Sequence, residues 1–346
     1  MRELRRDPLT GHWVALAPDQ TPNRSAVALA AQDPLLLRSP SSCPLCPGAE
    51  IHTPPEVYAH RPPVGPASQR DAPGWSLRVV PHRYPALGIE GDMGRRSEGF
   101  YDRMNGIGAH EVLVETPDHR RGLHDQSEPE VEQVLWALRH RILDLRRDSR
   151  FRHIVVSRAH GQQAGATLSH PHTELFALPV VPRPVRERVD SARRHHEERD
   201  RCLLCDIVDH ETAAQRRLVY ENSSFVVICP YASRTPFETW VVPRRHRPRF
   251  EESPSEEMPA LASALRMALR RLWAALGGPC YRLVLHNAPF VDRLVDYVHF
   301  SIEIVPQVGP GCSVDQSGGL HINPTPPEEA ARYLRQLREL PESLPQ

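Results

Sequence analysis

One order of motifs occurs twice in this chain, and it constrains the fold more than anything else in the sequence. "CPLC" supplies Cys43 and Cys46, and "CLLC" supplies Cys202 and Cys205. Each pair is followed by an apolar run that ends at a histidine, "EVLVETPDH" at His119 and "ETWVVPRRH" at His246. A long amphipathic segment comes next, then a strand-like run ("RHIVVSRAHG" or "YRLVLHNAPF"), then a second histidine, His170 or His299. His119 and His170 are 51 residues apart, His246 and His299 53. Such agreement predicts an internal duplication rather than two unrelated domains.

The amphipathic segments read as helices. Apolar residues recur at helical spacing through Val131, Val134, Leu135, Leu138, Ile142 and Leu145, and through Leu261, Leu265, Leu269, Leu272 and Leu276. Ser127 with Glu130, and Ser253 with Glu256, have capping-box spacing, and Gly277 is a natural stop. The expected division is a first half over 1–182, a charge-dense bridge over 183–201 that reads as a solvated helix, and a second half over 202–346. "HRPPVGPASQRDAPGW" in the first half is a surface loop by composition.

Composition sorts the function classes. Hydrophobic content of 40% with 25% charged residues is that of a soluble globular chain. The 43 basic residues are all arginine and balance 43 acidic ones, so no basic surplus points to nucleic acid. No apolar run approaches the ~20 residues of a membrane span, and "MRELRRDPLTGHW" has no secretory character. A cytoplasmic, reducing location is expected, and there cysteine pairs serve metals or redox chemistry rather than disulfides. Tetrahedral zinc takes thiolate and imidazole, and C-x-x-C lets one turn offer two sulfurs. Cys43, Cys46, His119 and His170 are therefore assigned to one zinc site. Cys202, Cys205, His246 and His299 are assigned to a second, which could also hold iron or stand empty. Closed four-ligand sites of this kind are structural rather than catalytic.

His172 lies two residues beyond His170, so on a strand both rings project to one side. A strand clamped at position 170 gives the neighbouring imidazole a preorganised place. Neutral imidazole attacks phosphorus near pH 7 and can leave again, so His172 is the candidate nucleophile. Its counterpart beyond His299 is Ser301, which cannot play that part.

At these residues the chain resembles the galactose-1-phosphate uridylyltransferase branch of the histidine-triad superfamily, including its ADP-glucose phosphorylase-like members. "RRDPLTGHWVALAP", "CPLCPG", "VVPHRYPAL", "HEVLVETPDH", "GATLSHPHTELFALPVVP", "HNAPF", "HFSIEIVPQ" and "INPTPPEEAARYLR" carry the resemblance over nearly the whole chain. It implies an α+β fold, a duplicated histidine-triad unit whose antiparallel sheets form a half-barrel with helices packed outside, and commonly a homodimer. It also implies ping-pong nucleotidyl transfer, in which His172 attacks the α-phosphorus of a nucleotide sugar such as UDP-glucose and galactose 1-phosphate then collects the nucleotidyl group. A phosphorylase with inorganic phosphate as acceptor, and a nucleotide-binding protein with little turnover, are the other readings. The resemblance places Gly165, Thr167, Glu174, Arg24, His82 and Asp315 at substrate-binding positions. Three departures stand out. Glu174 replaces a glutamine that donates hydrogen bonds to phosphate, Ala159 replaces an asparagine, and the N-terminal arginine pair is reduced to Gln20 and Arg24.

Overall fold

A computed structural model describes residues 2–18, 42–62, 69–290, 296–308 and 320–337. In chain order it forms β1 (Glu3–Arg6), β2 (Trp13–Leu16), β3 (Tyr58–His60), β4 (Leu77–Pro81), the hairpin β5 (Arg96–Glu98) and β6 (Tyr101–Arg103), then β7 (Ala109–Val114). Helix α1 (Glu128–Leu145), β8 (His153–His160) and β9 (His172–Leu178) come next. Helices α2 (Arg183–Arg199) and α3 (Leu203–Ala214) lead into β10 (Leu218–Glu221), β11 (Phe225–Ile228) and β12 (Thr239–Pro243). Helix α4 (Met258–Leu276), β13 (Tyr281–His286), β14 (Ser301–Pro306), β15 (Leu320–Asn323) and α5 (Pro327–Gln336) complete it.

Ten strands make one open antiparallel sheet in the order β10-β11-β12-β14-β13-β8-β9-β7-β4-β3. Read outward from the β8–β13 pair, the two sides repeat: β9, β7, β4, β3 on one and β14, β12, β11, β10 on the other. The twofold order of the sequence motifs is thus a twofold order of strands, joined edge to edge along the register Leu285↔Val156 to Tyr281↔His160. The sheet does not close into a barrel.

Alternation along the strands decides which face holds what. Leu113, Leu175, Ala177, Ile154, Leu283, Ile302 and Ile304 face α1 and α4 and share one core with their apolar stripes. All eleven apolar residues named for those stripes are buried. Each of the larger ones contributes roughly 1.5–3 kcal/mol by leaving water. On the opposite, open face, each half packs its cysteine pair. Cys43 lies with Trp75, Val80, Val112 and Val114, and Cys202 with Leu204, Val226, Trp240 and Val242.

The helix ends agree with the sequence once and differ once. Ser127 and Glu130 form the capping box of α1, with the Ser127 N–H donating to Glu130 Oε2 at 2.7 Å. Ser253 and Glu256 do not cap α4. Proline at 254 is followed by a 3₁₀ turn over Ser255–Glu257, and the helix starts only at Met258. Its stop is as expected, since Gly277 adopts φ 69°, a left-handed conformation that glycine takes without steric cost. Helix α2 forms within the bridge, but one stripe is not solvated: Val185, Val189 and Ala192 pack on Ala288, Tyr297 and Val298. β15 pairs in parallel with β2, so the first strands lie beside the last. Among the described residues no helix is long and apolar enough to cross a membrane. Gln20, Arg24, Asp315 and Cys312 lie outside the described residues.

Candidate active site

The eight cysteines and histidines picked from spacing come together as two groups of four donors. In the first, the nearest S···N distances are 3.2 Å (Cys46 to His119 Nδ1), 3.4 Å (Cys46 to His170 Nδ1) and 3.7 Å (Cys43 to His170 Nδ1). In the second they are 3.5 Å (Cys205 to His246), 3.4 Å (Cys205 to His299) and 3.9 Å (Cys202 to His299). Four ligands around one zinc-sized ion, at about 2.3 Å for sulfur and 2.1 Å for nitrogen, put S···N tetrahedral edges near ~3.6 Å. Both groups match that geometry. The paired rings stand at 87° in the first group and 68° in the second, as separate tetrahedral ligands would.

The surroundings suit a cation as well. Burial lowers His170 to about 4, which keeps it in the neutral form a ligand needs. Burial and the neighbouring Cys43 sulfur push the Cys46 thiol up to about 12, and the Cys202 sulfur and burial push Cys205 up. Bound metal inverts that penalty by drawing the proton off. His170 Nε2 donates to the Thr116 carbonyl at 2.8 Å, and His119 Nε2 hydrogen-bonds Ser169 Oγ at 2.8 Å. Outer hydrogen bonds of this kind fix ring orientation and aim Nδ1 inward.

Strand β9 starts at His172, one proline beyond His170. The His172 ring is 8% exposed, and its Nδ1 donates to the His170 carbonyl at 2.7 Å. That bond fixes the tautomer, so Nε2 carries the lone pair. Among the described residues Nε2 has no hydrogen-bond partner. Alternation places Glu174 and Phe176 on the same open face, flanked by Val114, Val112 and His110 of β7. Ser157 of β8 lies across from Glu174, and Ala159 lies two residues further along that face.

Glu174 is met by His110, a residue the motif reading does not single out. Its Nε2 lies 3.5 Å from Glu174 Oε1, an electrostatic pairing beyond good hydrogen-bond range. The imidazole beside it holds Glu174 below the usual carboxylate range, against burial, so the group is an anion at neutral pH. His82 stacks on His110 at 4.1 Å and 5°, and His110 stacks on Phe176 at 4.0 Å. His82, His110 and Glu174 are close enough to suggest a third metal group. The stack argues otherwise. An imidazole lone pair lies in its ring plane, and two nearly parallel, stacked rings cannot both point at one ion. This cluster is an aromatic and charged wall.

The connection from β8 to β9 holds Gly165 and Thr167, both exposed beside the His172 end of the strands. Gly165 has φ 92°, and a Cβ there would sit 3.0 Å from Arg282 Nη2. Arg282 belongs to β13, faces Ala159 across the β8–β13 pairing, and donates to the Ala164 carbonyl at 2.8 Å. No local pattern in the chain signals it, because its neighbours on the sheet come from the other half.

Comparison with known proteins agrees with this geometry. Residues 188–339 match the family model described as galactose-1-phosphate uridyl transferase, C-terminal domain. The chain is 32% identical over 340 residues to the ADP-glucose phosphorylase of Arabidopsis thaliana, covering 97% of this chain and 93% of that protein. It is 28% identical to the galactose-1-phosphate uridylyltransferase of Thermotoga maritima, covering 97% and 98%. Among solved structures, an Arabidopsis thaliana ADP-glucose phosphorylase with bound ADP-glucose superposes with a TM-score of 0.81 at 30% identity, covering 97% of this chain and 99% of that one. A uridylyltransferase structure gives 0.74 at 27%, covering 97% and 98%. With the open sheet, the paired Cys/His groups and these whole-length matches, the chain belongs to the galactose-1-phosphate uridylyltransferase family of nucleotidyltransferases.

Proposed function

We propose that this protein transfers a nucleotidyl group from a nucleotide sugar to a sugar 1-phosphate through a covalent intermediate on His172. The observation that carries the reading is the His172 Nδ1 bond to the His170 carbonyl, which leaves the Nε2 lone pair for attack. Nε2 forms a bond to the α-phosphorus while the bond from that phosphorus to the bridging oxygen breaks, and a sugar 1-phosphate leaves. A phosphate oxygen of the acceptor then attacks the same phosphorus and His172 departs with its lone pair restored. UDP-glucose as donor and galactose 1-phosphate as acceptor accord with the uridylyltransferase relatives. The reaction would run in the cytoplasm.

The residues around His172 take complementary parts in this reading. The Gly165 N–H already donates to the Gln162 carbonyl at 2.9 Å, so the Thr167 hydroxyl and backbone donors near these two residues hold phosphoryl oxygens, and Arg282 brings a guanidinium to the neighbourhood where Ala159 offers no donor. His82 and His110 form a stacking surface beside the bound nucleotide, with Glu174 on its edge. Arg24 and Asp315, which lie outside the described residues, are the remaining substrate-binding candidates. Zinc in both Cys/His groups braces the strands mechanically and takes no part in the transfer.

A phosphorylase reading is favoured by one specific observation, the greater likeness to the ADP-glucose phosphorylase of Arabidopsis thaliana. It needs the same nucleophile and differs only in the acceptor. Labelled UDP-glucose and ADP-glucose are the test. Wild type is expected to take up acid-labile, base-stable label from one of them and discharge it to galactose 1-phosphate. Discharge to inorganic phosphate alone selects the phosphorylase, and no label from either overturns both.

A further inference from the structure

We infer that the buried Arg158–Glu115 ion pair, held from the second half by Tyr281, positions the imidazole of His172, an inference that rests on the nucleophile reading above. Glu115 comes directly after β7, and its side chain is wholly buried; that of Arg158, on β8, is 1% exposed. Arg158 Nε donates to both Glu115 oxygens, at 2.8 and 3.1 Å. The same carboxylate accepts the Thr173 hydroxyl at 2.7 Å, and the Glu115 N–H donates to the Pro171 carbonyl at 3.1 Å. One residue therefore grips the chain on both sides of His172. Arg158 Nη1 in turn donates to Tyr281 Oη at 2.7 Å, with its guanidinium 5.2 Å from that ring's centre.

Stability alone does not account for such a pair. Burying two charges is about break-even against well-packed apolar side chains, whereas hydrogen bonds to a fixed carboxylate define direction. The molecule contains its own control. On β12 and β14, Val241 pairs with Ile302, as Leu113 pairs with Thr173 on β7 and β9. Two residues on, Pro243 stands where Glu115 stands, and Ile302 stands where Thr173 stands. Neither side chain can make a hydrogen bond. The half with Ser301 in place of the nucleophile is built with apolar side chains there, and the half with His172 carries a buried charge.

Attack on phosphorus requires Nε2 within about 3–3.5 Å and in line, and a displacement of about 1 Å can cost a factor of about 100. The test uses full-length protein and whichever of UDP-glucose and ADP-glucose labels wild type, with single-turnover label transfer, its half-saturating concentration and metal content as readouts. Thr173→Val, which keeps shape and loses the hydroxyl, is expected to slow transfer about 10- to 100-fold. Half-saturation should stay within about twofold and the metal content should not change. Thr173→Ser should restore the rate to within about threefold, and Tyr281→Phe should show a smaller slowing of the same kind. Wild-type speed in Thr173→Val overturns the inference, as does loss of rate together with metal or affinity, or failure of serine to rescue. A wild type that takes no label overturns the transfer reading and this inference with it, whereas a labelled wild type with an unaffected Thr173→Val overturns the positioning alone.

Discussion

Strands β9 and β14 occupy matching places in the two halves, and each begins just beyond a histidine of a Cys/His group. From their first residues onward the two strands diverge. β9 presents His172, Glu174 and Phe176 to the open face. β14 presents Ser301, Glu303 and Val305, and the space above them is filled from within. Glu303 accepts from His286 at 2.6 Å, lies 3.6 Å from Arg188 and pairs with Arg234, while Arg188 also donates to Ser301 at 3.2 Å. Burial lowers Arg188 to about 10, which still leaves it charged at neutral pH. The Cys/His group and the strand order are kept in both copies, and the open face in only one. A duplicated scaffold can convert its second site into a charge-paired brace that fastens helix α2.

The largest expected effect would break this comparison outright. His172→Gly should abolish label transfer, by a factor on the order of 10⁴ or more, while Ser301→Ala leaves the rate within about twofold. Equal effects would show that the second face is still active. Next come the metal groups. Cys46→Ala and Cys205→Ala should each lose one equivalent of metal and lower the thermal midpoint by several degrees, about 1–2 °C per kcal/mol lost in a chain of this length. Only Cys46→Ala should also lose transfer, because only that group adjoins the proposed nucleophile; metal analysis with differential scanning calorimetry distinguishes the two.

A smaller effect sharpens the contrast between Glu174 and the charge-balanced Glu303. A carboxylate about 4 Å from one phosphate charge, at an effective dielectric of ~20, meets about 4 kcal/mol of repulsion. The Glu174 side chain is 36% exposed and has His110 beside it, so most of that is screened. Glu174→Gln should then strengthen nucleotide-sugar binding roughly tenfold, read by calorimetric titration; weaker binding would mean that the carboxylate accepts a substrate hydrogen bond. The smallest effect concerns pH. His124 is buried, stacked on Trp273 at 3.7 Å, and lowered to about 3 by burial and then by Arg158. The unfolded chain takes up this proton near pH ~6.5 and the folded chain does not. The stability due to the neutral ring is therefore present above about pH 6.5 and lost progressively as pH falls toward 3. His124→Gln should flatten that decline in urea midpoints between about pH 7 and 4, and an unchanged slope would exclude His124 as its source.

Much of the molecule is readable from the chain and some is not, for reasons that differ by residue. The Cys/His groups can be read because a C-x-x-C pair and two histidines of closely matching separation recur in the same order in both copies. His172 can be read because it lies two residues beyond His170, although the strand begins only at His172 and His170 stands just before it. The α4 start escapes the capping pattern because a proline and a 3₁₀ turn compete with the Ser253 cap. A solvated reading of α2 overlooks Val185, Val189 and Ala192, spaced for one stripe among many charges. His110, Arg282 and the Arg158–Glu115–Thr173 grip cannot be read at all. Their partners lie 43 to 123 residues away, or across a strand pairing that no local pattern reveals.

The β8–β13 ladder has a mechanical consequence. With the two copies zipped into one continuous sheet, a clamshell motion between them would require tearing backbone amides from their acceptors in the middle of the molecule. Substrate must therefore enter and leave by rearrangement of loops and side chains over a floor that stays still. Amide hydrogens of Val156 and Leu285 should accordingly be among the slowest to exchange in the whole protein, with or without nucleotide.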